Sequence, residues 1–121
     1  MKGIYLSTAG MLMALAIVLG AFGAHVLESM LTADLLETWK TAVLYHALNS
    51  LGLFAIIFTA KLWHISLTTP FWLIFAGIIL FSGSLYALCL TGVNLLGAIT
   101  PLGGVSFISG WMLYAWKVAN V

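Results

Sequence analysis

Two histidines stand where a protein could use them for chemistry, each beside or within an apolar stretch. His25 closes the sequence GAFGAH, and His46 lies in TAVLYHAL. An imidazole titrates near neutral pH, so it can exchange a proton or bind a small polar ligand. Other polar side chains could complete such a site, and with the two histidines they make eight candidate ligand-binding residues: Tyr45, Asn49, Ser82, Ser84, Tyr86 and Thr100.

The sequence argues against several kinds of site. All three acidic residues fall between positions 28 and 37, so no Ser-His-Asp triad can be built around either histidine. Two histidines without a nearby carboxylate are a poor zinc ligand set, and we therefore predict no metal site and no catalytic residue. A net charge of +1 without any arginine argues against nucleic acid as a partner. Nothing in the sequence specifies a cofactor.

The composition indicates that these residues lie in a lipid environment. Of the 121 residues, 64% are hydrophobic and only 6% are charged, and the mean hydropathy is +1.19. Soluble domains carry about 25% charged residues, and a small soluble fold could not bury this much apolar surface. The length fits one domain over residues 1–121, with membrane lipid as its surroundings.

Four apolar segments must position the candidate residues. An α-helix needs about 20 residues to cross a hydrocarbon core of about 30 Å, and none of the segments shows the alternation of a barrel strand. We predict an all-α polytopic membrane protein, an antiparallel bundle of four transmembrane helices. The segments are approximately Ile4–Ala24, Thr41–Ala60, Phe71–Leu90 and Leu95–Trp116.

The connections between these segments carry further signals. Leucines and acids alternate at helical spacing around residues 31–37, which predicts a short amphipathic surface helix between helices 1 and 2, capped by Thr32 or Asp34. Pro70 suits the first turn of helix 3, and TGVN predicts a tight turn before helix 4. We expect the first segment to be retained, since it is longer than the apolar core of a signal peptide.

Lysine positions predict the orientation. With four spans, Lys2, Lys61 and Lys117 share one side, and only Lys40 lies on the other side with the acids. Lysine excess marks the cytoplasmic side, so both termini are predicted to be cytoplasmic.

This topology brings the candidate polar residues into the outer half of the bundle. We expect Pro101 to kink helix 4, and small residues to allow close helix packing, at Gly20, Gly23, Gly83, Gly103, Gly104 and Gly110. A stripe through Ser7, Gly10 and Ala14 predicts the inward face of helix 1, and one through Gly103, Phe107 and Gly110 that of helix 4. Two interpretations stay open: a polar pocket open outward, or hydrogen bonds from His46 and Asn49 to Ser82, Ser84 or Thr100 that join the helices.

Four ordered motifs, GAFGAHVL, TAVLYHAL, FSGSLYAL and TPLGGVSFISGW, resemble the domain-of-unknown-function 423 family over essentially the whole chain. The resemblance implies a small four-helix bacterial inner-membrane protein without an established activity. Many members carry a histidine where this chain has Asn49, which weakens any role for that position as a proton or metal ligand. The family motifs coincide with the outer polar residues and also include Trp111.

Three functions follow as hypotheses. The first is a small-ligand or lipid binding or transport module with a pocket in the outer half. The second is a structural or assembly subunit of a membrane complex or a homo-oligomer. An enzyme using His25 and His46 as acid and base has the least support.

Overall fold

The computed structural model describes every residue, Met1–Val121, and contains helices but no strands. Its α-helices are α1 (Gly3–His25), α2 (Ala33–Trp63), α3 (Thr68–Gly77), α4 (Ser84–Thr91) and α5 (Thr100–Ala119). A π-helical segment, Ile78–Gly83, joins α3 to α4, so these form one continuous helical run, span 3 (Thr68–Thr91). α1, α2, span 3 and the run Asn94–Ala119 are long and apolar enough to cross a membrane, as predicted.

α2 and span 3 form the centre of the bundle. α1 packs along α2, α5 packs along α3 and the π segment, and span 3 packs against α2. α1 and α5 share no extensive interface, so they lie on opposite flanks of the central pair. The main core joins all four spans through residues that include Leu12, Leu53, Phe71 and Phe107.

The two ends of the bundle differ in charge. The end formed by both termini and the connection 64–67 carries Lys2, Lys61 and Lys117, and we call it the termini end. The opposite end, called the acidic end, holds the connection 26–32 and the first turns of α2, where all three acids and Lys40 lie.

We predicted a separate amphipathic helix between helices 1 and 2, and its predicted boundaries are wrong. Only a 3₁₀ turn, Leu27–Ser29, precedes α2, and the leucines expected on a surface helix belong to or directly precede the first turns of α2. Thr32 caps α2 by accepting a hydrogen bond from the Leu35 amide at 3.3 Å, so the alternative cap at Asp34 is excluded. Because no proline interrupts the sequence after this cap, the helix continues for 31 residues.

The start of the fourth span also differs from prediction. Gly92 takes a left-handed conformation, φ +72°, which supports the predicted turn, but residues Asn94–Ala98 form a 3₁₀ helix before α5 begins. Pro101 therefore lies in the first turn of α5 rather than at a kink inside it. The missing N–H of proline falls where the helix needs no donor, so it costs no hydrogen bond.

The inward face was predicted correctly for α5 and wrongly for α1. Gly103, Phe107 and Gly110 are buried on α5, as predicted. On α1 the predicted inward stripe faces outward instead: Ser7 and Ala14 are exposed, whereas Ala9 and Ala16 are buried. Both faces of α1 are apolar, so hydrophobicity could not distinguish them in a lipid environment.

Candidate functional site

His46 and Tyr86 form a polar pair between α2 and α4. His46 is 2% exposed, and its Nδ1 lies 2.9 Å from the Tyr86 hydroxyl oxygen. The Ser50 hydroxyl donates to the His46 carbonyl at 2.7 Å, one turn along α2. The sequence predicted a serine or threonine partner for His46, and the structure gives it a tyrosine instead.

Ser82, in the π segment, and Ser84, at the start of α4, form hydrogen bonds to the neighbouring helices. The Ser82 hydroxyl donates to the Ala42 carbonyl of α2 at 2.7 Å. Ser84 Oγ is 3.0 Å from the Phe81 carbonyl and 2.6 Å from Thr100 Oγ1 at the start of α5. Since a serine has one hydroxyl proton, Ser84 donates to Phe81 and accepts from Thr100. These bonds tie span 3 to both of its partner helices.

Asn49 joins α2 to α5. Its Oδ1 accepts a hydrogen bond from Trp111 Nε1 at 2.9 Å, and its Nδ2 donates to the Tyr45 carbonyl at 2.9 Å. Both polar atoms of the amide are therefore used. In the sequence, Trp111 stood out only as a residue of the family motif TPLGGVSFISGW. Its position four residues after the inward-facing Phe107 was the signal that it reaches the bundle interior.

The remaining candidates do not join these pairs. His25 is exposed at the end of α1, and no hydrogen bond connects it to the other candidate residues. The Tyr45 ring packs on Phe81, with ring centroids 4.7 Å apart, and 42% of Tyr45 is exposed. Six of the eight candidates thus form separate links between helices, and the eight do not line one common pocket.

Two cavities touch candidate ligand-binding residues, and a third lies at the predicted packing glycines Gly20 and Gly23. The largest, about 510 Å³, lies between α2 and α5 beside Tyr45 and Asn49 and is otherwise lined by apolar and aromatic side chains. A cavity of about 110 Å³ adjoins His46, Gly83 and Tyr86, and we call it the His46 cavity. A groove of about 330 Å³ runs between α1 and α2 at the acidic end, and we call it the α1–α2 groove.

The α1–α2 groove exists because two glycines bring α1 close to α2. A Cβ atom on Gly23 would collide with the Trp39 indole, and one on Gly20 would lie 3.2 Å from Val43. The Trp39 Nε1 donates to the Leu19 carbonyl at 2.9 Å and fixes the indole against α1. The groove is lined by Gly20, Gly23, Ala24, Trp39, Lys40, Val43, Leu44 and Ala47.

Lys40 is the one charged side chain that lines the α1–α2 groove. Its Nζ lies 3.4 Å from Glu37 Oε1, one turn earlier on the same helix. From the sequence, Lys40 indicated only the orientation of the chain, because a sequence pattern does not reveal which residues lie across from a side chain. No group of three or more His, Cys, Asp or Glu side chains is arranged to hold a metal ion.

Comparison with known proteins decides the family. The family model described as "Protein of unknown function (DUF423)" matches residues 19–104. The chain belongs to the DUF423 family. The matched range contains every residue of the α1–α2 groove and all eight candidate ligand-binding residues, and the resemblance to the family seen in the sequence motifs is confirmed.

Relatives of this DUF423 chain are named as membrane proteins. It is 56% identical over 101 residues to "UPF0382 membrane protein YwdK" of Bacillus subtilis, covering 82% of each chain. It is 48% identical over 99 residues to "UPF0382 membrane protein SSP2132" of Staphylococcus saprophyticus, again covering 82% of each. No solved structure matches the chain. Together with its four apolar spans, these relatives identify a membrane protein.

Proposed function

We propose that this DUF423 protein binds a phospholipid of the surrounding bilayer in the α1–α2 groove. Lys40 pairs with the lipid phosphate, and an acyl chain runs along the groove into the hydrocarbon region. The observation that carries the proposal is the combination of one lysine at the polar end with a floor of glycine and alanine below it. The α2–α5 groove is larger, but both polar atoms of its Asn49 are already hydrogen-bonded within the protein.

The floor of the groove is preformed. Gly23 and Trp39 are buried against each other, and the indole hydrogen bond to Leu19 holds this contact in place. Ala24 and Ala47 add only methyl groups to the groove, which leaves room for the acyl chain of a lipid. A ligand that enters a preformed site loses less binding free energy to ordering of the protein.

The charge at the mouth is available to a phosphate. The Lys40–Glu37 pair spans 3.4 Å, and the two side chains are 62% and 76% exposed. An exposed ion pair of this kind contributes little stability, so a phosphate can replace the Glu37 carboxylate. A lysine near a membrane surface attracts anionic lipid with about 1 kcal/mol.

We further propose that both termini are cytoplasmic in a bacterial inner membrane, so that the groove faces the outer leaflet. Three of the four lysines lie at the termini end, and lysine excess favours the cytoplasm. The test is labelling of intact cells with a membrane-impermeant maleimide in a Cys89→Ser background. Glu28→Cys should be labelled and Ser66→Cys should not, whereas the reverse pattern would overturn the orientation.

Lipid binding is tested by native mass spectrometry of the purified protein titrated with phosphatidylglycerol. Lys40→Gln should weaken binding about fivefold, the equivalent of about 1 kcal/mol, and Glu37→Gln should strengthen it by removing the competing carboxylate. Ala47→Leu should abolish binding because it fills the groove. Ala55→Leu is the matched control, since Ala55 is exposed on the same helix outside the groove. Unchanged binding in both Lys40→Gln and Ala47→Leu would refute the proposal.

A second candidate function is assembly into a homo-oligomer. Ser7 and Ala14 are exposed and face away from the bundle, and a Cβ on the half-buried Gly10 between them would meet no atom within 4 Å. Small residues on a lipid-facing surface suit close packing with another helix. Ala14→Cys in a Cys89→Ser background should then form a disulfide-linked dimer in native membranes, and a strictly monomeric protein would exclude this function.

A further inference from the structure

His46 has one ring nitrogen that the protein leaves unused. Nδ1 is paired with the Tyr86 hydroxyl, but Nε2 is buried and has no hydrogen-bond partner. It is the one buried side-chain nitrogen or oxygen in this condition. An unpaired buried polar group is destabilising, and the hydrocarbon around a transmembrane bundle offers no bulk water to relieve this cost.

The same imidazole lines the His46 cavity. Leucine side chains of α1 line one wall of the cavity, and the π segment and Tyr86 form the other. Its volume of about 110 Å³ has room for about three waters, each of which occupies about 30 Å³ in the liquid. The lining residues are Leu12, Leu15, Leu19, His46, Ile78, Ile79, Gly83 and Tyr86.

Gly83 and the π segment keep this space open. Gly83 lines the cavity without a side chain, and a Cβ atom on it would meet no atom within 4 Å. A π turn widens a helix locally, and such turns frequently occur at functional sites. Ser82, in the same segment, is bonded to the Ala42 carbonyl, which holds the widened turn against α2.

The Tyr86 hydroxyl can share a water with His46 Nε2. The Tyr86 hydroxyl uses one interaction on Nδ1 and retains the capacity for another. A buried water needs two to four polar partners, and a cavity lined only by apolar groups stays dry.

We propose that the His46 cavity is a binding site for a small cluster of water molecules anchored on His46 Nε2. The cluster completes the hydrogen bonds of the imidazole and extends the His46–Tyr86 pair towards α1. This site is separate from the α1–α2 groove, so the proposal does not depend on lipid binding there.

The test is water-edited solid-state NMR of the full-length protein in lipid nanodiscs, with ¹⁵N-labelled histidine. His25 and His64 are exposed and serve as internal positive controls for transfer from water. The His46 ring should also receive magnetisation from water, and a His46→Phe variant assigns its signal. A His46 signal without transfer, alongside transfer to the two controls, would mean a dry cavity and would overturn the proposal.

A filled cavity should abolish the transfer. Gly83→Val introduces a side chain into the open space beside His46, and the His46 water signal should be lost. Gly104→Val is the matched control, because a Cβ on Gly104 likewise meets no atom within 4 Å but Gly104 lies on α5 away from the cavity. If Gly83→Val does not fold, Leu15→Phe fills the cavity from α1. Undiminished transfer in a folded cavity-filling variant would refute the site.

Discussion

Gly103 and Gly104 are neighbours in α5, and replacing each of them by alanine should change the free energy of unfolding of the protein in opposite directions. Gly103 is buried against the π segment, and a Cβ built on it would lie 2.7 Å from Phe81 Cα. Carbon atoms in contact prefer about 3.5–4.0 Å, so α5 would have to move away by about 1 Å. The obstacle is backbone, which cannot rotate out of the way as a side chain can.

The expected magnitudes follow from this contact. Overpacking costs about 1–3 kcal/mol, and a backbone obstacle puts Gly103→Ala near the upper limit. Alanine in a helix recovers about 0.5–1 kcal/mol relative to glycine, so the net loss should be about 2 kcal/mol. A Cβ on Gly104 meets no atom within 4 Å, so Gly104→Ala should keep only the gain of about 0.5–1 kcal/mol.

The measurement is reversible unfolding in mixed micelles, followed by circular dichroism as the denaturing detergent fraction rises. The wild type and the two variants give three free energies of unfolding under the same conditions. A Gly103→Ala variant as stable as the wild type would contradict the close approach of α5 to Phe81. An equal loss in Gly104→Ala would mean that alanine affects α5 as a whole, and the steric reasoning would be wrong.

Three further predictions concern the links between spans. The hydroxyl oxygens of Ser84 and Thr100 are 2.6 Å apart. A double-mutant cycle of unfolding with Ser84→Ala and Thr100→Val should therefore give a coupling free energy of about 0.6 kcal/mol. Additive effects of the two substitutions would exclude this hydrogen bond. Trp111→Phe should cost about 1–2 kcal/mol in the same unfolding assay by leaving Asn49 Oδ1 unpaired, and adding Asn49→Leu should recover part of it, whereas no recovery would contradict the pairing. Cys89 is 4% exposed with its thiol on the Leu35 carbonyl, so maleimide should label it only as the protein unfolds, and rapid labelling of the folded protein would contradict this burial.

The sequence was sufficient to predict the spans and several of their boundaries. A segment of about 20 apolar residues has few alternatives to a transmembrane helix, and Pro70 lies in the first turn of α3 as its chemistry indicates. The inward face of α5 was also predicted, because its glycines and aromatics alternate at helical spacing. These features depend on local sequence, which explains why they could be inferred.

Features that depend on neighbouring helices could not be inferred. Nothing in the sequence IILFSG indicates a π turn, since the turn forms where Ser82 reaches the Ala42 carbonyl and Phe81 meets Gly103. The partners of His46 and Asn49 turned out to be aromatic residues rather than the expected hydroxyl residues. The depth of a residue in the membrane narrows the choice of its hydrogen-bond partners. Only the rotation and tilt of each helix determine which of these partners is close enough to bond.

The flanking positions of α1 and α5 have a consequence for synthesis of the protein. Every extensive interface joins spans that are consecutive in the chain: α1 with α2, α2 with span 3, and span 3 with α5. Contacts between neighbouring segments form with a small loss of chain entropy, and a chain folds from its N-terminus as it is made. Each helix can therefore pack as soon as it leaves the ribosome and enters the bilayer, and the first helix does not have to wait for the last one to be translated.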